Sequence, residues 1–274
     1  MVKKNPKIVF LFSLLLALSA CSDIKPTYQR KNIEESINKI CRSEYGLDVS
    51  VEEVEDTIWI YSPFEKLVNE NGEPSEKATE EIGNIILSLQ RVLLSIDNPP
   101  KFYVFVASDT ERIGADLVMV GFVPDIVKLQ LLFISRDEFF ARRFISFTRD
   151  PKALKDKYGF HIEKFNMDLP TFIALLTQQK IASSFSKKES KDYFQIDKCV
   201  VSYDQRTKDF IIQIDIKNKN YKPGLPDPFQ EALKTIYYYT SKVYDFNDFS
   251  FVRIVDFESK KIKTFNRKAL EDEI

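Results

Sequence analysis

The sequence predicts an α+β protein of two modules, each running helix, strand, strand, helix, strand, strand. Three observations carry this. Apolar stripes at the helical period are separated by pairs of short segments in which residues alternate apolar and polar. The order occurs twice, at about residues 32–122 and 170–266. Hydrophobic residues make up 44% of the 274 residues and charged residues 30%, enough apolar mass to fill a core. Each half then reads as an antiparallel sheet with helices on one face, the two joined by a mainly helical middle segment. Residue identity between the halves is poor, so the repeat is one of architecture only. Chance recurrence of a common α+β string is an equally weighted alternative.

Element by element, Ser22–Lys31 is polar, contains Pro26 and reads as a tether. Ile33, Ile37, Ile40 and Cys41 recur at i, i+4, i+7, i+8, one face of a helix stopped by Gly46. Residues 47–54 and 56–62 read as strands joined at Glu55-Asp56, with Ile58 and Ile60 alternating with Trp59 and Tyr61. Asn71-Gly72 and Pro74 mark a loop. Ala78, Ile82, Ile85, Ile86, Leu89, Val92, Leu93 and Ile96 form a long amphipathic helix that Asn98-Pro99-Pro100 ends. Residues 102–107 and 115–122 are β-like. In the middle segment, 123–167, Ser135 and Glu138 form a capping box followed by Phe139, Phe140, Phe144 and Ile145.

The second module, 168–274, opens at Asp168 and Pro170 with a helix through Leu175, Leu176 and Ile181. Residues 199–203 and 210–216 are strands, and Pro223-Gly224-Leu225-Pro226 is a rigid turn. Asp227 caps the next helix, with Pro228 at its first position and Gln230 fitting a capping box. Phe229, Leu233, Ile236 and Tyr237 form its apolar face. Residues 249–257 and 261–265 close with a hairpin around Ser259.

The first twenty residues read as an address. Lys3, Lys4 and Lys7 precede an apolar run, Ile8 to Leu18, broken only by Ser13. As a helix it extends about 16 Å, half a bilayer core, the length of a signal-peptide segment. Leu18-Ser19-Ala20-Cys21 follows and resembles the lipobox of bacterial membrane lipoproteins. That resemblance covers only about 22 residues; an ordinary secretory signal with a chance cysteine is the alternative. It implies a signal peptide over 1–20, a diacylglycerol on the Cys21 thiol and a lipidated tether over 21–31. It also implies a cell-envelope location, and Ser22 after the cysteine favours the periplasmic leaflet of an outer membrane in a two-membrane organism. Removing 1–20 deletes three lysines and no acid, leaving 37 basic against 41 acidic residues. A mildly acidic domain gains little from anionic head groups, so the acyl chains do the anchoring.

Cys41 and Cys199 remain, an even pair in an oxidising compartment. A disulfide between them and two buried free thiols are both open.

Composition narrows the chemistry. Forty basic against 41 acidic residues give a net charge of −1, which argues against nucleic acid as partner. The single histidine, His161, excludes a multi-histidine metal cage and lacks a signalled nucleophile or orienting partner. Seven glycines without a phosphate-loop pattern, and no nucleophile elbow or zinc-protease motif, leave no cofactor or metal assigned. Asp109, Glu111, Asp116 and Asp125 cluster around one hairpin and are the candidate carboxylates for hydrolysis of an envelope polymer. In a chain with 41 acids a solvated hairpin is the plainer reading. Glu52, Glu53, Glu55 and Asp56 lack the spacing of a calcium loop. Tyr237-Tyr238-Tyr239 spreads about 200° round a helix, so one tyrosine faces away from the core. These three are the candidate partner contacts, with packing between the modules as the weightier alternative.

The expectation is therefore a lipid-anchored, non-enzymatic envelope protein that binds a protein partner or supports an assembly. A carboxylate-dependent hydrolase and a small-molecule carrier with an apolar pocket between the modules are the alternatives.

Overall fold

The computed structural model describes residues 26–69, 73–111, 115–149, 164–186, 194–219, 227–257 and 260–273. The expected signal peptide, Cys21, the Asn71-Gly72 loop, His161, the Pro223–Pro226 turn and Ser259 lie outside them. Seven α-helices and nine strands are described: α1 (Ile33–Tyr45), β1 (Ser50–Val54), β2 (Thr57–Phe64), α2 (Glu76–Leu94), β3 (Phe102–Asp109), β4 (Ala115–Phe122), α3 (Val123–Gln130), α4 (Arg136–Ala141), β5 (Phe144–Arg149), α5 (Leu169–Ser186), β6 (Phe194–Asp204), β7 (Asp209–Lys219), α6 (Pro228–Tyr237), β8 (Phe251–Asp256), β9 (Ile262–Phe265) and α7 (Arg267–Asp272). They form an α+β fold with two sheets, ordered β1-β2-β3-β4-β5 and β6-β7-β8-β9.

The local signals work as their chemistry demands. Gly46 ends α1 in the left-handed region at φ 67, its N–H bonded to the Arg42 carbonyl. Ser75 Oγ accepts from Ala78 N at the start of α2, Ser135 Oγ from Glu138 N at the start of α4, and Asp227 from Phe229 N at the start of α6. Glu55, at φ 52, turns β1 into β2.

The two modules share more than element order. In each, the outer pairs are antiparallel and the central pair is parallel: β2 with β3, and β7 with β8. The sheets are dominated by antiparallel pairs, as the sequence predicts, with one parallel pair at the centre of each module. The helix between those strands returns the chain to the end where it began, so the second strand runs alongside the first. The modules also agree in detail. Lys101 N donates to Asp56 O just before the parallel pair of the first sheet, and Ser250 N donates to Lys208 O at the matching place in the second.

The middle segment supplies α3 and α4 as expected, but Phe144 and Ile145 do not continue a helix. They open β5, which pairs with β4 and widens the first sheet to five strands. Phe165–Met167 then stitches the second module to the first: Trp59 Nε1 donates to Phe165 O at 3.0 Å, and Met167 N donates to Thr57 Oγ1 at 2.7 Å.

Stacking gives four layers. Ile58, Ile60, Tyr103 and Phe105 face α1 and α2 in one core. Trp59, Phe102, Val104, Val106 and Val120, on the opposite face of the same sheet, join Phe172, Ile173, Leu176 and Ile181 of α5 in a second core. That core continues into Ala232 and Ile236 of α6 and Ile212, Ile214 and Ile254 of the second sheet. Helix α5 lies between two sheets, and its buried residues Phe172, Ile173, Ala174, Leu176 and Ile181 are spread over more than one face. Among the described residues no helix is long and apolar enough to cross a membrane.

Candidate functional site

Of the hairpin carboxylates, Asp109 and Asp116 are engaged in hydrogen bonds within the fold. Asp109 is buried; its Oδ2 accepts from the Leu67 and Val68 N–H groups at 2.9 and 3.2 Å, and its Oδ1 from Glu111 N at 3.0 Å. Three backbone donors fix this carboxylate as a clamp on the β2–α2 loop. Asp116 is buried and accepts from the Ser108 hydroxyl. Glu111 is exposed at the hairpin tip.

Asp125 leaves the hairpin altogether. It sits on α3, 2% exposed, with Oδ1 3.1 Å from Arg142 Nη1 and Oδ2 accepting from the Tyr244 hydroxyl at 3.2 Å. Arg142 also reaches Glu138 on its own helix, and Lys128 Nζ lies 3.5 Å from Asp125. This network ties α3 and α4 of the middle segment to Tyr244, at the end of the π-helical turn that follows α6 in the second module. Burial opposes the Arg142 charge, yet Glu138 and Asp125 hold its pKa above the ordinary value. Burial, reinforced by the Asp125 charge, raises that of Tyr244.

The tyrosine run splits. Tyr237 ends α6 half-buried, with Lys242 Nζ 5.5 Å from its ring centroid. Tyr238–Val243 winds as a π-helix, which adds a residue to the turn and rotates the next side chains. Tyr239 is thereby buried at 4% exposure, stacked on Tyr244 and donating to Ala141 O at 3.4 Å, while Tyr238 is 48% exposed. Burial pushes the Tyr239 hydroxyl up to about 12. The three therefore do not form one contact surface, and Tyr239 serves the packing between modules.

Cys41 and Cys199 are both free. Cys41 is buried against α2 in the first core, and Cys199 lies on β6 beside the second. The disulfide left open by the sequence is not formed, because the two thiols belong to cores on different layers.

Cys199 borders a groove of about 770 Å³ that the sequence did not reveal. Ile145 and Ser146 of β5 form one wall, Ile196, Asp197 and Cys199 of β6 the other, and α5 the floor. Strands β5 and β6 are the terminal strands of their sheets, so two sheet edges face one groove. Two adjacent glutamines on α5 reach both: Gln179 Oε1 accepts from Ile145 N at 2.8 Å, and Gln178 Oε1 accepts from Val201 N at 3.1 Å. Each glutamine satisfies one outward-facing edge N–H that would otherwise invite another chain. Burial pushes the Cys199 thiol up to about 12, so it is no ready nucleophile near neutral pH. The Gln178-Gln179 pair that follows the apolar run Phe172–Leu176 was the available signal, since half-buried polar side chains need a partner.

The arrangement offers backbone hydrogen-bonding groups along two strand edges, flanked by the apolar side chains of Phe144, Phe185 and Ile196. Such a cleft suits an extended chain. No family model matches the protein, and no match was found among curated proteins or solved structures.

Proposed function

We propose that this chain is a lipid-anchored envelope protein whose folded part is a non-enzymatic module that holds a protein partner in the groove between β5 and β6. The anchor rests on Cys21 in its lipobox-like setting. The observation that carries the binding role is the meeting of two sheet edges at one groove, with an N–H of each edge bonded to an α5 glutamine. A partner strand can replace those side-chain bonds with a ladder of backbone bonds. The hydrolase alternative loses support because Asp109, Asp116 and Asp125 are already engaged in holding loops and modules together.

The test is photocrosslinking in intact cells, with the probe at Ser146 in the groove or at exposed Ser202 elsewhere on β6. One envelope protein captured from Ser146 and not from Ser202, and lost in the Cys21→Ala form, is the expected result. Equal capture from both positions, or none, refutes the groove. The groove's volume and partly apolar walls also favour the carrier reading. Native mass spectrometry of the purified protein separates the two, because a carrier retains a small apolar ligand.

A further inference from the structure

The corner between α3 and α4 carries Leu131, Leu132 and Phe133 with exposures of 57%, 87% and 75%. Large apolar residues at such exposure do not serve the fold, and three in succession form a protrusion and not scattered surface. Its backbone is closed on itself. Leu131 N donates to Val127 O, Leu132 N to Leu129 O and Phe133 N to Lys128 O, at 3.0, 3.0 and 2.8 Å. These last two bonds are the helix-ending pattern that ordinarily places glycine in the left-handed position. Here Leu132 occupies it at φ 61, and the apolar residue after it, Phe133, points away instead of packing back. A strained apolar apex with no free N–H is suited to an apolar medium, where unsatisfied donors are the main obstacle to insertion. The seven residues from Leu129 to Ser135 are uncharged, and the cations Lys128 and Arg136 flank them in the sequence, the charge sign that anionic head groups attract.

The tether says which medium. The structure holds the chain at Tyr28, whose N–H donates to Ser95 O, and at Arg30, whose guanidinium binds Asp56. Asp56 O accepts from Lys101 N, and Lys101 O accepts from Val123 N, the first residue of α3. The tether's docking point and the root of α3 thus share one end of the first sheet. Seven residue steps separate Tyr28 from Cys21, at most about 25 Å of extended chain. Helix α3 adds about 12 Å from its root to the apex.

We propose that the Leu131–Phe133 corner inserts into the outer part of the same bilayer that holds the Cys21 acyl chains. It makes a second membrane contact that fixes the domain's orientation. This rests on the lipid-anchor reading above.

The test uses the lipidated full chain carrying Phe133→Trp, reconstituted into phosphatidylethanolamine–phosphatidylglycerol vesicles with brominated acyl chains. The native protein, whose single tryptophan Trp59 is buried, is the background. The expected result is blue-shifted emission from the new tryptophan with strong quenching by the brominated lipid. Adding Leu132→Asp removes that quenching. Vesicle flotation with an unquenched, water-exposed tryptophan overturns the inserted corner and leaves the anchor standing. A blue shift that follows protein concentration and ignores brominated lipid overturns it in favour of contact between copies. Absence of acyl mass on Cys21, with no flotation, overturns the anchor and this proposal together.

Discussion

Removing the Arg142 guanidinium tests how much stability comes from the buried ion pair between α3 and α4, on which the Tyr244 contact to the second module rests. In Arg142→Met the aliphatic volume is kept, but Asp125 loses the partner 3.1 Å from its Oδ1. Breaking one side of a buried ion pair costs about 3–5 kcal/mol because the remaining charge is left uncompensated. Asp125 keeps the Tyr244 hydroxyl at 3.2 Å and Lys128 Nζ at 3.5 Å, so the expected loss falls to about 2–3 kcal/mol. Glu138, 36% exposed at its side chain, returns to water at little cost. Adding Asp125→Asn removes the orphaned charge, so the double variant should recover about 1–2 kcal/mol relative to the sum of the singles. The assay is equilibrium urea unfolding followed by Trp59 fluorescence, since Trp59 lies where the first sheet meets Phe165. A single variant within about 0.5 kcal/mol of the native protein, or strictly additive singles, would refute the reasoning.

Other outcomes follow from the same geometry. Tyr239→Ser should cost about 2–4 kcal/mol, and Tyr238→Ser under about 0.5, in the same urea assay; equal effects would contradict the split produced by the π-helix. Because α5 shares its core with both sheets, calorimetry should show a single unfolding transition, and two resolved transitions would mean the modules fold independently. Replacing both Gln178 and Gln179 by Ala uncovers an N–H on each edge; sedimentation should then show self-association, with about 1–3 kcal/mol lost in total. Burial raises Cys199 from 9.0 to about 12 and Tyr239 from 10.0 to about 12. Both groups hold their protons more tightly folded than unfolded, so the stability they contribute is complete below pH 9 and is lost progressively as pH rises to about 12. Urea titrations from pH 8 to 12 should show that decline, and a flat profile would contradict the burial of these groups.

Much of the fold was legible because its signals are local. Ile33, Ile37, Ile40 and Cys41 make one helical stripe, and all four are buried. Gly46, Ser135 and Asp227 act at the helix ends where their conformations and side-chain oxygens are useful. The middle segment was harder. Phe144 and Ile145 continue an apolar run, and only the open edge of β4 decides that they pair as a strand. Helix α7 is short and its cap, Asn266 accepting from Ala269 N, gives little periodicity to read.

The candidate site was less legible, for a related reason. Asp109, Asp116 and Asp125 are near neighbours along the chain, but Asp109 turns toward the β2–α2 loop while Asp125 is drawn to Arg142 and Tyr244. Tyr237, Tyr238 and Tyr239 are consecutive, but the π-turn sends them into different environments. Helical spacing implies that the three tyrosines separate, but it does not say which one is buried, nor where each carboxylate turns.

The sequence by itself determined most of the helices and strands, their twofold order and the α+β class. Periodicity, capping chemistry and charge act within a few residues, and a single chain displays them directly. Tertiary structure alone decided that the central strand pairs run parallel and that α5 serves two sheets. It also decided that the two free edges meet across a groove and that Leu131–Phe133 stay uncovered. Each depends on which surfaces remain unpaired after distant elements have packed, and that is settled by competition for burial across the whole chain.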